Sequence, residues 1–261
     1  MNNNTKIIID HYEQYNEDER FTKDKAHSIE YLTTKKYIEK NLKKGDRILE
    51  VGAGTGAYSI NYAKAGYKVD AIELSLKHLN ILKSKITHDM DINAIQGNAL
   101  DLSMYEDNTF DITLVLGPLY HLFTQEEKEK AIEEAIRVTK KDGFIYIAYI
   151  TSDSIFISYC LKNHHLLETD RVCEENYKLK DIPEEIFSAF YVDEFNNLMS
   201  NYGIEHITNV ATDGLSYILK DYVNDLSDEE FKVWFDYHLK NCERKDLQGY
   251  STHMIYIGKK R

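Results

Sequence analysis

The segment Ile48-Leu49-Glu50-Val51-Gly52-Ala53-Gly54-Thr55-Gly56-Ala57-Tyr58 constrains this chain more than any other. The run from Arg47 to Val51 reads as a buried strand, and Gly52, Gly54 and Gly56 read as a turn out of it into a helix. Glycines at a strand-to-helix turn let the backbone approach a ligand closely, where a larger side chain would block it. A tight turn without a ligand does not require three glycines in such close succession. The spacing Gly52-x-Gly54-x-x-Ala57 also satisfies the dinucleotide fingerprint, so the loop alone implies a nucleotide-like ligand without choosing one. Glu50 narrows the choice: a carboxylate beside the loop repels a pyrophosphate and suits a ligand that carries positive charge. An exposed acid at the end of a strand is the alternative reading.

The rest of the chain repeats the strand–helix alternation. Strands are expected at Tyr67–Ile72, Ile92–Gln96, Phe110–Leu116 and Gly143–Ile150, with helices between them: one to about Ala65, one capped by Ser75 to about Thr87, and one over Gln125–Lys140. This order predicts a parallel sheet covered on both faces, a doubly wound α/β fold. Before it, apolar residues at helical spacing predict a helix over Ser28–Leu42 with Ser28 as N-cap, preceded by a polar lid over 1–27. Residues 151–191 read as a helical or irregular inserted cap. Residues 192–261 return to the sheet with a helix over Val192–Tyr202, a strand over Ile204–Val210, a helix over Asp228–Cys242 and a strand over His253–Gly258. Ser227 caps the Asp228 helix, with Glu230 at the capping-box position.

Two more segments carry chemistry. In Ala71-Ile72-Glu73-Leu74-Ser75 the acid at the strand end is placed to accept both hydroxyls of a ribose; a helix N-terminal charge is the alternative. Gln96-Gly97-Asn98-Ala99-Leu100-Asp101-Leu102 follows the third strand. With these in place, the span from about Tyr31 to Ile150 resembles the class I S-adenosylmethionine-dependent methyltransferases. Leu116-Gly117-Pro118-Leu119-Tyr120-His121-Leu122 and Arg137-Val138-x-Lys140-x-Asp142-Gly143-Phe144 belong to the same resemblance. It implies a Rossmann-like seven-stranded sheet, mostly parallel with an antiparallel last strand. It also implies a cofactor set of Glu50, Gly52, Ala53, Gly54, Gly56, Tyr58, Glu73, Leu74, Asn98, Ala99, Leu100 and Leu116. Asn98 would hold the adenine amino group, where the family more often has Asp. Ala99 would donate a backbone N–H, and Leu116 would offer its carbonyl to the methionine amino group. The product would be S-adenosylhomocysteine.

The Pro118-Leu119-Tyr120-His121 stretch resembles the small-molecule branch and lacks the Asp/Asn-Pro-Pro-aromatic sequence of adenine N6 methylases. Tyr120 is expected to wall the acceptor pocket. His121 either accepts a proton from the acceptor or packs under the loop. The run Tyr12-x-x-Tyr15-x-x-Asp18-Glu19-Arg20-Phe21 resembles the lid of this branch; Arg20 meets the carboxylate of the methionine moiety or of an acceptor, or pairs with neighbouring surface acids.

Charge and composition limit the partners. A net charge of −12 repels phosphate backbones, so nucleic acid is disfavoured. Three cysteines without a Cys-x-x-Cys argue against a disulfide framework and for a reducing, cytoplasmic setting. No stretch reads as a signal peptide or a membrane span, and no histidine pattern reads as a metal site. A monomer or homodimer is expected. Four functions follow: a methyltransferase acting on the O, N or S atom of a small molecule; one acting on protein or RNA; a non-catalytic S-adenosylmethionine binder; and an NAD-dependent oxidoreductase, which Glu50 and the late antiparallel strands weaken.

Overall fold

A computed structural model describes residues 3–261. Helix α1 (Asn3–Gln14) and a 3-10 turn at Glu17–Glu19 precede α2 (Lys25–Asn41). The alternation then runs β1 (Arg47–Val51), α3 (Ala57–Lys64), β2 (Lys68–Glu73), α4 (Leu76–Ser84), β3 (Ile92–Gln96), β4 (Phe110–Val115), α5 (Gln125–Val138) and β5 (Thr139–Ile150). Strands β6 (Ile204–Ala211) and β7 (His253–Lys260) complete a seven-stranded sheet in the order β3-β2-β1-β4-β5-β7-β6. Strands β1 to β5 are parallel, and β7 runs antiparallel to both β5 and β6.

The strands form because nearly unbroken aliphatic runs can be buried from both sides. Ile48, Leu49, Val69, Ala71, Ile72, Leu114, Val115, Ile145 and Ile147 are all buried, and each large one contributes about 1.5–3 kcal/mol by leaving water. On the late side of the sheet, Tyr149 stacks on Phe195 with ring centroids 4.1 Å apart.

Helix boundaries follow their caps. Ser75 Oγ accepts the His78 N–H, and Ser227 and Glu230 form the expected reciprocal capping box. The second helix starts earlier than its apolar pattern predicts. Asp24, not Ser28, is the cap: its Oδ1 accepts the His27 N–H at 2.9 Å, while the Ser28 hydroxyl donates to Lys25 O inside the first turn. Helix α5 stops at Val138 rather than Lys140, and the chain enters β5 at once through a bulge, pairing Phe110 with Thr139 and then Ile112 with Phe144. Gly143 is required there, because a Cβ would lie 2.8 Å from Asp111 O.

Residues 151–191 contain short helical turns and no strand of the sheet. Among the described residues, no helix is long and apolar enough to cross a membrane. Strand order reverses between β1 and β4, and a crevice opens at that point beyond the carboxyl ends of the strands.

Candidate active site

A cleft occupies this crevice. Its floor is built from the ends of successive strands: Gly52 and Gly54 after β1, Ile72 to Ser75 at the end of β2, Gly97 to Leu100 after β3, and Leu116 to Pro118 with Tyr120 to Leu122 after β4. Helix α1 and the turn after it form the roof, with Ile8, Tyr12, Glu17 and Arg20 facing in.

The glycine loop is shaped by contacts that forbid larger residues. Gly52 has φ +77°, and a Cβ on it would lie 2.6 Å from Pro118 Cδ. The N–H groups of Gly52 and Ala53 both donate to Ile72 O, which ties the loop to β2. Glu73 completes the tie: Oε2 accepts the Gly54 N–H and Oε1 accepts the Ser75 N–H, each at 2.7 Å. Burial pushes the Glu73 carboxyl up, and those backbone donors oppose the shift. Each oxygen keeps lone-pair capacity toward the cleft. Asn98 folds into a short turn in which Oδ1 accepts the Leu100 N–H at 3.0 Å. Leu74, Asn98, Ala99, Leu100 and Leu116 all line the cleft.

Four of the residues expected at the cofactor lie off the cleft wall. Glu50 is 2% exposed, and its Oε2 accepts the Ser59 N–H at 2.9 Å and the Ser59 hydroxyl. Its carboxylate therefore caps the first turn of α3 from beneath, and burial raises its pKa to about 8. The charge argument that Glu50 selects the ligand by proximity is corrected accordingly: the acids that border the cleft are Glu17, Glu73 and Glu127. Tyr58 turns its ring onto Phe21 and Tyr31, with centroids 5.8 and 5.0 Å away. Ala53 and Gly56 shape the loop without lining the cleft; a Cβ on Gly56 would meet Leu82 Cγ at 2.8 Å.

The Pro118–His121 stretch forms a 3-10 turn that buries Tyr120 and His121. His121 Nδ1 lies 2.8 Å from Ile186 O, and its Nε2 lies 2.7 Å from Tyr12 Oη. A carbonyl can only accept, so Nδ1 carries the proton, and Nε2 accepts from the Tyr12 hydroxyl. Burial lowers the His121 pKa to about 4, which keeps it neutral. Its free lone pair is thus already engaged by Tyr12. Burial likewise pushes Tyr120 up to about 12, and its hydroxyl donates to Leu116 O at 3.2 Å.

Arg20 is neither on the surface nor free. Its Nη2 lies 2.7 and 2.8 Å from the two carboxylate oxygens of Glu30 and 3.2 Å from His253 Nε2, and Nη1 is 3.5 Å from Glu17. It borders the cleft and also a second cavity of about 250 Å³. Tyr12, Glu17, Arg20 and Tyr120 line both spaces, and His11, Tyr15, Ala26, His27, Glu30, Phe187, Asp213, Tyr217 and His253 complete the second one. Glu30, Asp213 and His253 place ligand atoms within 4.8 Å of one another, a grouping that could hold an ion. Arg20 already supplies positive charge at that point. The sequence gives no local sign of Glu30, Asp213, Tyr217 or His253. Glu17 had a signal, one helical turn before Arg20, that the lid pattern passed over.

The roof is latched to the sheet side. Lys77 Nζ donates to the carbonyls of Tyr12, Glu13 and Tyr15, at the carboxyl end of α1 and just past it. Lys85 reaches Asp18 and donates to Thr55 O at 2.9 Å.

Comparison with known proteins agrees with this geometry. Residues 48–143 match a family model described as a methyltransferase domain. A demethylmenaquinone methyltransferase of Paenarthrobacter aurescens is 38% identical over 41% of this chain and 40% of its own length. Its counterpart from Renibacterium salmoninarum is 40% identical over 40% of this chain and 41% of its own. The chain thus spans about two fifths of the length of these curated relatives. A solved structure from Thermotoga maritima, described as a methyltransferase and possible histamine N-methyltransferase, superposes with a TM-score of 0.60. That likeness covers 97% of this chain and 100% of the other at 19% identity, and shows the shared fold. The core that carries the glycine loop, Glu73 and Asn98 thus matches the methyltransferase-domain model, and its fold is shared with a solved S-adenosylmethionine-dependent methyltransferase.

Proposed function

We propose that this protein transfers a methyl group from S-adenosylmethionine to a small-molecule acceptor. One observation carries the reading: the glycine loop, Glu73, Asn98 and Leu116 converge on a single cleft that adjoins a second cavity lined by aromatic and charged side chains. The donor set fits the methyl donor. Glu73 offers carboxylate oxygens for ribose hydroxyls, Asn98 and Ala99 stand where the adenine edge would be read, and Gly52 and Gly54 leave room for the backbone to approach. Arg20 faces the cleft with a guanidinium that would answer the carboxylate of a methionine moiety.

When bound, S-adenosylmethionine supplies an electrophilic methyl group and a neutral leaving group. The chain's own part is to hold the acceptor in line and exclude water. The α1 roof excludes water, and Tyr12 and Tyr120 stand between the two spaces. Where the acceptor must lose a proton, the route runs through Tyr12, whose hydroxyl donates to the neutral His121. Direct proton transfer to His121 would first displace Tyr12.

Calorimetric titration tests the donor: S-adenosylhomocysteine binds and NAD does not, and tight NAD binding would overturn the reading. A panel assay with labelled methyl donor tests the acceptor class. Label found only on protein or RNA overturns the small-molecule assignment, and donor binding without transfer to any class indicates a non-catalytic binder.

A further inference from the structure

We infer that the second cavity is the acceptor site and that it is built for a small cationic amine; the assignment rests on the methyl-donor reading of the adjoining cleft. The two spaces share Tyr12, Glu17, Arg20 and Tyr120. A ligand in the cavity therefore lies across these four side chains from a ligand in the cleft.

Charge decides the class. Glu17, Glu30 and Asp213 face the cavity against one permanent cation, Arg20. The other titratable groups on its wall are His11, His27, His253, Tyr12, Tyr15, Tyr120 and Tyr217. Arg20 is engaged by both oxygens of Glu30. Asp213 is satisfied internally: it accepts from His253 Nδ1 at 2.8 Å, from the Ser251 hydroxyl and from the Thr252 and His253 N–H groups. Among the described residues, Glu17 pairs with Arg20 at 3.5 Å, a longer contact than the 2.7 Å by which Glu30 holds the same guanidinium, and its side chain is only 15% exposed. Burial pushes its carboxyl up, and Arg20 opposes the shift. A bound ammonium would add a second counter-charge to the carboxylate that Arg20 holds more weakly.

The walls suit the same ligand. Tyr12, Tyr15, Tyr120, Phe187 and Tyr217 surround the space, and aromatic faces attract cations within about 6 Å of the ring. An anionic acceptor would have to break the Arg20–Glu30 pair and still face Glu17 and Asp213. A quinol with an apolar chain, the kind of acceptor implied by the names of the menaquinone-pathway relatives, would bury that chain against three carboxylates and a guanidinium without answering their charge.

The test titrates four probes into the full chain saturated with S-adenosylhomocysteine: phenethylamine, phenethyl alcohol, phenylacetate and 1,4-dihydroxynaphthalene. Phenethylamine is expected to bind roughly tenfold or more tightly than each of the others, since only it pairs with Glu17. Glu30→Gln frees Arg20 and is expected to reverse the order, with phenylacetate overtaking phenethylamine. Tyr217→Ala, on the cavity wall and off the cleft, is expected to weaken the amine about threefold to fivefold and leave S-adenosylhomocysteine affinity unchanged. Equal or tighter binding of the acid or the quinol by the unmodified protein overturns the inference. So does amine binding that neither substitution alters, because the amine then sits elsewhere. S-Adenosylhomocysteine binding without amine preference overturns the amine assignment and leaves the donor reading standing; no S-adenosylhomocysteine binding overturns the donor reading and this assignment with it.

Discussion

The cleft and the cavity beside it are built in opposite ways. The cleft floor comes from short segments at the ends of β1 to β4, and its shape is fixed by backbone groups: Gly52 and Ala53 N–H on Ile72 O, and Gly54 and Ser75 N–H on Glu73. The cavity draws on residues from His11 to His253, held by side-chain pairs such as Arg20–Glu30 and His253–Asp213. Backbone geometry is set by the fold, so it serves the ligand that a whole family shares. Side-chain pairs can be exchanged one residue at a time, so they suit whatever distinguishes one acceptor from another.

The sharpest break of this contrast is Gly52→Ala. The left-handed backbone of Gly52 costs an alanine about 1–3 kcal/mol, and its Cβ would also collide with the Pro118 ring. S-Adenosylhomocysteine affinity is expected to fall on the order of 100-fold, read by calorimetry alongside a lowered Tm; unchanged affinity would mean the loop does not set the cleft. Glu73→Ala comes next. It removes charged hydrogen bonds of about 1.5–3 kcal/mol, and donor affinity should drop between tenfold and a hundredfold. Unchanged affinity would remove Glu73 from the site.

Asp213→Asn acts on the other side of the contrast. It leaves the cleft lining intact but weakens the anchor of His253, so methyl transfer should slow about tenfold by misplacing the acceptor, with donor affinity unchanged. An equal loss of donor affinity would show that the two spaces are not separable.

A smaller effect tests the corrected role of Glu50. Its folded-state pKa of about 8 is raised above the ordinary carboxylate value, so the native state retains a proton that the unfolded chain releases. This contribution to stability is complete below the ordinary carboxylate range and is lost as pH rises toward 8. Glu50→Gln mimics the protonated form, so its Tm advantage over the unmodified protein should grow from acid to pH 8 by several degrees. A Tm difference that does not vary with pH would place Glu50 in solvent instead. The smallest effect is Lys77→Ala, which removes a cation from the carboxyl end of α1, worth about 0.3–1 kcal/mol. Faster hydrogen exchange over residues 4–14 is the readout, and unaltered exchange would show that the roof does not depend on this latch.

The alternation of strands and helices, the glycine loop, Glu73 and the turn at Asn98 were legible in the sequence because each is a local pattern. A strand period, a cap or a glycine needs only its neighbours to be recognised. Glu50 was misplaced for a related reason: a motif shows that an acid is next to the loop but not which way its side chain leaves the strand, and here it turns under α3 to Ser59. The hydrogen bond from Tyr12 to His121 was equally hidden, since it joins α1 to a turn more than a hundred residues later.

The sequence alone determined a doubly wound sheet with a glycine loop at the end of β1. Tertiary structure decided what lies beside that loop. Strand β7 enters the sheet antiparallel, so its first residue, His253, pairs with Ile150, the last residue of β5. Ala211, at the end of β6, pairs with Met254, which brings Asp213 to the same edge. That reversal carries residues from the end of the chain to the lid at its beginning, and long-range pairing of this kind leaves no mark on the local pattern from which a sequence is read.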